Sequence, residues 1–332
     1  MIKKILIGLA GAVVVLAVIG LILPRHVKVA RSVTINRPAS LVYAAVNSFV
    51  LFPKWSPWQE LDPNMIQTTE GARDGVGAKL LWKGNEKVGT GSQVITASTP
   101  EQAVASDLDF GEMGVAKSLV TLAPQGGTTR ATWTVDVDMG ANPIGHYIGL
   151  TMDSMLGKDF ATGLNSLKSL LEAMPNTDIA GFTAEPVQLA AAPVLIVTET
   201  APADGIAKAY TDGFAQIGKF MAKNKLHSAG APLGIDEDMP AGTYQFDAGI
   251  PVDRGDVGGA DGVRVVQSYA GKALKATHVG PYQDLPKTHA KLLAYMAVHG
   301  YKAKGPMISW YVDDPGHTPV EKLRTEMYAP IE

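Results

Sequence analysis

The chain has no cysteine among its 332 residues, which removes disulfides, thiolate nucleophiles and Cys-ligated zinc. It also lacks an excess of positive charge: 29 Lys and Arg against 32 Asp and Glu give a net charge of −3. No run of basic residues interleaved with aromatics is present to hold a phosphate backbone, so nucleic acid is not an expected partner. None of the seven histidines stands in an HExxH or comparable spacing, so neither metal nor cofactor is expected. The glycine-rich stretch GDVGGADG, residues 255–262, has no following Lys-Ser/Thr and reads as a surface turn. GxSxG is absent, and no residue is assigned a catalytic role. What is present is apolar bulk: 46% of residues are hydrophobic, enough to build two cores.

One apolar run is long. ILIGLAGAVVVLAVIGLIL, residues 5–23, has no charged side chain over 19 residues, about what a helix rising roughly 1.5 Å per residue needs to cross the hydrocarbon core. A signal peptide is the rival reading, because Lys3 and Lys4 precede the run, but residues 24–28 offer no small-x-small cleavage site. Residues 1–26 are therefore expected to be an uncleaved, single-pass anchor in the cell membrane. Arg25, Lys28 and Arg31 answer the two lysines across the run, so loop charge does not decide orientation. A short tail with two lysines favours soluble domains outside the cytoplasm.

Residues 27–175 read as an α+β domain. VKVARSVTI alternates like a strand, with Val27, Val29, Arg31, Val33 and Ile35 on one face. PASLVYAAVNSF starts with proline and has helical spacing. GSQVITAST, QAVASDLDF, AKSLVTLAP and TRATWTVDVD then read as an antiparallel meander. Residues 143–174 form a long helix with an apolar stripe that includes Phe160, Leu164, Leu167 and Leu171. Asp107, Asp109, Glu112 and Asp136 are expected to face solvent. Trp55 and Trp58 either line a cavity mouth or plug the core beneath a loop. With RSVTINRPASLVYAAVNSFVLFPKWSPW at its head, this order of elements resembles the START-like polyketide cyclase (SRPBCC) superfamily. The resemblance implies a helix-grip fold, in which a curved antiparallel sheet and the long helix enclose an apolar cavity, and it implies no single reaction.

Residues 176–184 read as a linker, and a second domain follows over 185–332. That domain contains a weak duplication. PVLIVTETA, a helix over 203–226, APLGIDED and GTYQFDAGIPV in the first half match KALKATHVG, a helix over 282–299, GPMISWYVD and EKLRTEMYAPI in the second. Each half is a β-α-β-β unit, and aligning Pro251 with Pro330 sets Asp247 opposite Glu326. Two such units bury their helices on one face of a joined sheet and leave a groove near the pseudo-twofold axis.

THVGPYQDLPKTHAKLLAYM, ISWYVDDP and LRTEMYAPI together closely resemble the GyrI-like domain, the effector-binding part of some bacterial transcription activators. The resemblance implies an aromatic pocket with an acid from the last strand, suited to hydrophobic and often cationic small molecules. By position that role comes to Glu326, with Tyr282, Trp310, Tyr311 and Tyr328 as candidate walls. Trp310 and Tyr311 are neighbours on a strand, so they face opposite sides. A carboxylate in such a pocket is costly without a partner; a ligand cation supplies one, and ring faces add roughly 0.5 to 2 kcal/mol each by cation–π attraction. Arg324, on the same strand face, is a competing internal partner. The expected function is membrane-anchored binding of small hydrophobic or cationic molecules, for sensing or sequestration. The alternatives are a hydrolase or cyclase, for example with Tyr311 assisting Glu326, and a scaffold whose groove takes a protein partner. The transcription activators join this domain to a helix-turn-helix segment, which is not found here.

Overall fold

The structure is a computed structural model describing residues 2–111, 114–236 and 243–332. The chain forms two compact units that part after Ala180. The first begins with α1 (Ile2–Ile22), β1 (His26–Ile35), α2 (Ala39–Val46), α3 (Phe52–Trp55) and α4 (Pro57–Leu61). The meander β2 (Ile66–Gly71), β3 (Ala78–Lys83), β4 (Thr90–Thr99), β5 (Ala103–Asp109), β6 (Val115–Gln125) and β7 (Thr128–Asp138) follows, then α5 (Pro143–Glu172). Its seven-stranded antiparallel sheet runs β1-β7-β6-β5-β4-β3-β2, and a register shift in β4 between Ile95 and Ala97 bends it.

Helix α5 starts cleanly because the Asn142 side chain accepts from the Ile144 N–H at 3.0 Å and Pro143, having no N–H, needs no acceptor. It buries Phe160, Leu164, Leu167 and Leu171 as the apolar stripe requires. Two glycines let it approach the rest of the unit. A Cβ on Gly157 would collide with the Arg31 guanidinium, and one on Gly163 would meet Pro57 Cδ at 2.9 Å. Arg31 uses that space to pair with Asp153 at 2.9 Å. Phe160 stacks on Trp133 at 4.2 Å, and Trp55 and Trp58 both meet Trp133 edge-on. Asp107 and Asp109 are exposed as expected, whereas Asp136 is half-buried beside His26 and Lys28. Glu112 lies outside the described residues.

Helix α1 contains a 19-residue segment, Lys4–Ile22, long and apolar enough to cross a membrane; a signal sequence would pass the same test. Its later turns pack on α5, where Tyr147 donates to the Leu16 carbonyl at 2.7 Å.

The second unit contains β8 (Glu185–Leu189), β9 (Pro193–Ala201), α6 (Ile206–Asn224), β10 (Leu233–Asp236) and β11 (Tyr244–Pro251). It continues with β12 (Arg264–Gln267), β13 (Gly271–Val279), α7 (Leu285–Val298), β14 (Ile308–Tyr311) and β15 (Arg324–Pro330). The eight-stranded sheet runs β12-β9-β11-β10-β14-β15-β13-β8. Around the β10/β14 junction this order is symmetric, with β9, β11 and β10 repeated as β13, β15 and β14. The duplication is thus present in the strand pairing, and the expected strand APLGIDED is seen as β10, its last two residues being undescribed. The edge strands β8 and β12 escape sequence patterning because each is only four or five residues long and half-exposed.

Alternation along the strands divides the sheet. One face packs on the helices: Leu195 and Val197 meet Ile217 and Phe220 of α6, while Leu274 and Met327 join Leu292 and Met296 of α7. The other face holds a separate apolar cluster of Val194, Ile196, Leu233, Ala273, Ile308 and Tyr328. Val187 from one edge strand and Val266 from the other both pack on it, so the sheet curls around this cluster.

Candidate functional site

The five residues singled out in the second unit divide between its two faces. Register sets Trp310 directly across from Glu326, and Tyr328 follows two positions later on the same side. Tyr311 sits across from Thr325 and belongs to the helix-covered face, where its ring lies 5.2 Å from Tyr282 and 5.6 Å from Tyr210. Glu326, Tyr328 and Trp310 are therefore brought together, while Tyr311 and Tyr282 join Tyr210 and Phe214 in a second aromatic group. The catalytic arrangement in which Tyr311 assists Glu326 does not form, because neighbouring strand positions point through opposite faces of the sheet.

Glu326 is not alone on the concave face. Lys275 of β13 donates to its Oε1 at 2.7 Å, and the Tyr328 hydroxyl donates to its Oε2 at 2.6 Å. Burial pushes the Glu326 carboxyl up, but these two hydrogen bonds, with the charges of Lys275 and Arg324, outweigh it and hold the group below the usual carboxylate range. Burial and the adjacent carboxylate drive the Tyr328 hydroxyl well above its ordinary value. The Lys275 ammonium also lies 5.9 Å from the Tyr328 ring centre. The Trp310 ring is 6.2 Å from that of Tyr328, and its buried Nε1 has no hydrogen-bond partner among the described residues.

Lys275 is the site residue that strand patterning missed. The pairing of β13 with β15 sets it across from Tyr328, and nothing in KALKATHVG reveals that register. Arg324 acts on Glu326 through its charge but is not the group paired with it. It grips Asp313 through Nε and Nη2 at 2.9 and 2.8 Å, and these bonds, helped by the Arg324 N–H, pull the Asp313 carboxyl down to about 2. Asp313 and Asp314 in turn act on the helix-side group: burial first, then their charge, raises the Tyr282 hydroxyl.

The first unit contains two adjoining recesses that share Phe52 and Gln93. One, about 40 Å³, is walled by Trp58, Met65, Leu80, Trp82, Leu108 and Phe110. The other, about 20 Å³, reaches Trp55, Val104, Val120 and Trp133. Trp55 is thus both core and cavity wall, which reconciles the two readings of the tryptophans.

Against known families, residues 26–172 match the polyketide cyclase/dehydrase and lipid transport family, and residues 185–332 match the GyrI-like small molecule binding domain. The chain is an SRPBCC-type domain followed by a GyrI-like domain. Both are small-molecule-binding families. No curated protein matches the chain. Among solved structures, the EcmrR C-terminal domain is similar at 16% identity, covering 46% of this chain and 98% of its own, with a TM-score of 0.42. A chain of the EcmrR–DNA complex in EcmrR-RPo is similar at the same identity and score, covering 57% of this chain and 72% of its own. SAV2435 bound to tetraphenylphosphonium shares 17% identity over 45% of this chain and 94% of its own, with a TM-score of 0.36. A hydrolase from Listeria innocua shares 19% identity over 45% of this chain and 92% of its own, with a TM-score of 0.34.

Proposed function

We propose that the protein is a membrane-anchored binder of small hydrophobic molecules carrying a cationic or hydrogen-bond-donating group, acting in sensing or sequestration. The observation that carries the reading is the state of Glu326 in the GyrI-like domain. This carboxylate is half-buried at an apolar, aromatic face, and its charge is met by the ammonium of Lys275. A lysine ammonium is a point charge on a flexible stem and can leave for water at modest cost. An incoming lipophilic cation takes its place on Oε1, Tyr328 keeps donating to Oε2, and the Trp310 and Tyr328 rings supply apolar walls and cation–π attraction. Trp310 Nε1 offers a donor to an acceptor on the same ligand. Tyr311 and Tyr282 stand on the helix side and shape that face rather than touch this ligand. The length and apolarity of α1 support anchoring as a single-pass span, and the short tail with Lys3 and Lys4 favours domains outside the cytoplasm.

The test is calorimetry on the full chain in detergent, titrating tetraphenylphosphonium and the neutral triphenylphosphine oxide at two salt concentrations. Glu326→Gln is expected to weaken the cation tenfold or more and leave the neutral compound unchanged. Equal cation affinity in the variant, or no binding by the parent chain, would sink the reading.

A further inference from the structure

Pro24 follows closely on α1, and it leaves one helix carbonyl short of a donor. The Gly20 oxygen would ordinarily accept from the N–H four residues on, which proline does not have. Helix α5 supplies the donor instead. His146 Nδ1 stands 2.6 Å from the Gly20 oxygen and its Nε2 stands 3.0 Å from that of Gly140, and a carbonyl oxygen can only accept. Gly20 is buried at this joint: a Cβ on it would meet Pro143 Cβ at 2.6 Å and Tyr147 Cε2 at 3.0 Å. Tyr147 reaches one turn further back along α1, to the Leu16 carbonyl.

Other polar groups in the first turns of α5 are satisfied in the same inward way. The Ile144 N–H donates to the Asn142 side chain and the Gly145 N–H to the Asn142 carbonyl. Thr151 and Ser154 turn their hydroxyls back onto the helix, donating to the Ile148 and Thr151 carbonyls at 2.8 Å. Internal satisfaction of this kind is what a backbone needs where no water is at hand.

The outward surface of the same turns is apolar. Between Asp138 and Asp153 the only titratable side chains are His146 and Tyr147, and the two flanking acids are paired with Arg25 and Arg31. Gly145 and Gly149 turn inward against Met139 and Val27, whereas Ile144, Ile148 and Leu150 are 52–68% exposed. Leu16 and Ile19 of α1 are exposed beside them, so the apolar surface of α1 continues onto α5. Depth follows from the joint. Leu16 lies six residues inside the end of the apolar span Lys4–Ile22, roughly 9 Å along a helix that rises about 1.5 Å per residue. Apolar faces of interfacial helices embed to a similar depth, roughly 5 to 10 Å.

We propose that the first turns of α5, residues 143–151, are a second membrane-embedded element, with Ile144, Ile148 and Leu150 set among lipid acyl chains close to the headgroups. The proposal rests on the reading of α1 as a membrane span and adds a contact that a plain tether would not make. Lipid that surrounds α1 at the level of Leu16 to Gly20 also meets the α5 residues packed there. The SRPBCC-type domain is thereby held against the bilayer at a fixed depth, rather than swinging on residues 23–25.

The experiment uses the absence of cysteine, which lets one introduced thiol carry one label. Full-length Ile144→Cys, Ile148→Cys, Val14→Cys and Lys158→Cys are each labelled with a nitrobenzoxadiazole fluorophore and reconstituted in phosphatidylcholine vesicles. Val14 reports on the α1 span, and exposed Lys158 reports on the part of α5 beyond the apolar stretch. Quenching is then measured with aqueous iodide and with lipid carrying a nitroxide high on its acyl chain. At 144 and 148 iodide quenching is expected to be weaker than at 158 by roughly threefold or more, and the lipid nitroxide to quench strongly, as embedding at the interface implies. Labels at 144 and 148 as open to iodide as the one at 158, with Val14 shielded, would overturn the proposal and leave the span intact. Shielding from iodide without quenching by the lipid nitroxide would also overturn it, since protein, such as a second copy of the chain, would then cover the stripe. A Val14 label open to iodide would sink the span itself, and the α5 proposal with it.

Discussion

The two halves of the GyrI-like domain carry an acid at the same place, and the two acids have been put to different use. Asp247 on β11 and Glu326 on β15 both face the concave side and both lie across from a threonine, Thr198 and Thr277. Asp247 is sealed: its side chain is 7% exposed, Thr198 donates to it at 2.5 Å, and Arg264 caps it at 3.2 Å. Glu326 is 29% exposed and held by a lysine and a tyrosine. A duplicated scaffold can keep one copy of a polar position as a structural lock and leave the other open to exchange. Burial and a second bond decide which: Thr198 donates to Asp247 Oδ1 while the single nitrogen Arg264 Nη2 spans both carboxylate oxygens at 3.2 and 3.4 Å, whereas Glu326 stays partly open beside a flexible ammonium.

That division can be broken most directly at Glu326. Glu326→Gln should lower affinity for a lipophilic cation by about 1.5 to 3 kcal/mol, the span of a hydrogen bond to a charged group, with little change in the denaturation midpoint. Asp247→Asn should do the reverse, costing about 1 to 2 kcal/mol of stability in urea unfolding and leaving cation binding unchanged, because the lost contacts are structural. If the two variants exchanged these effects, Asp247 would be the ligand-facing acid.

Lys275→Met sharpens the comparison. Removing the resident ammonium should raise cation affinity by about 1 kcal/mol, since the ligand no longer competes for Oε1. A loss of cation affinity on this substitution would mean that Lys275 helps to hold the ligand. The smallest effect is in acid. The Glu326 carboxyl is held below its ordinary value, so its pairing contributes to stability above the unfolded carboxylate value of about 4.3 and is lost as pH falls through the lower folded value. Between about pH 5 and 3 the unsubstituted chain should lose more stability than Glu326→Gln, by less than about 1 kcal/mol for so exposed a pair. A parallel fall of the two denaturation curves would show that the pair contributes nothing.

Most of the architecture was legible without coordinates. The long helix of the first domain, its meander, the duplicated β-α-β-β units and the matching of Asp247 with Glu326 all follow from periodicity and proline placement. Less was legible of the sites. Edge strands β8 and β12 are too short to carry a period. The donor that His146 supplies to the Gly20 carbonyl joins positions far apart in the chain, and only the packed structure exposes it.

Alternation along a single strand is local, so the chain by itself determined that Trp310 and Tyr311 part company and that Glu326 shares a face with Tyr328. Register between strands is not local, because it is set by pairing across the sheet. Tertiary structure alone therefore decided that Lys275 neutralises Glu326, that Arg324 turns instead to Asp313, and that the first domain holds two recesses lined without charge among its described residues.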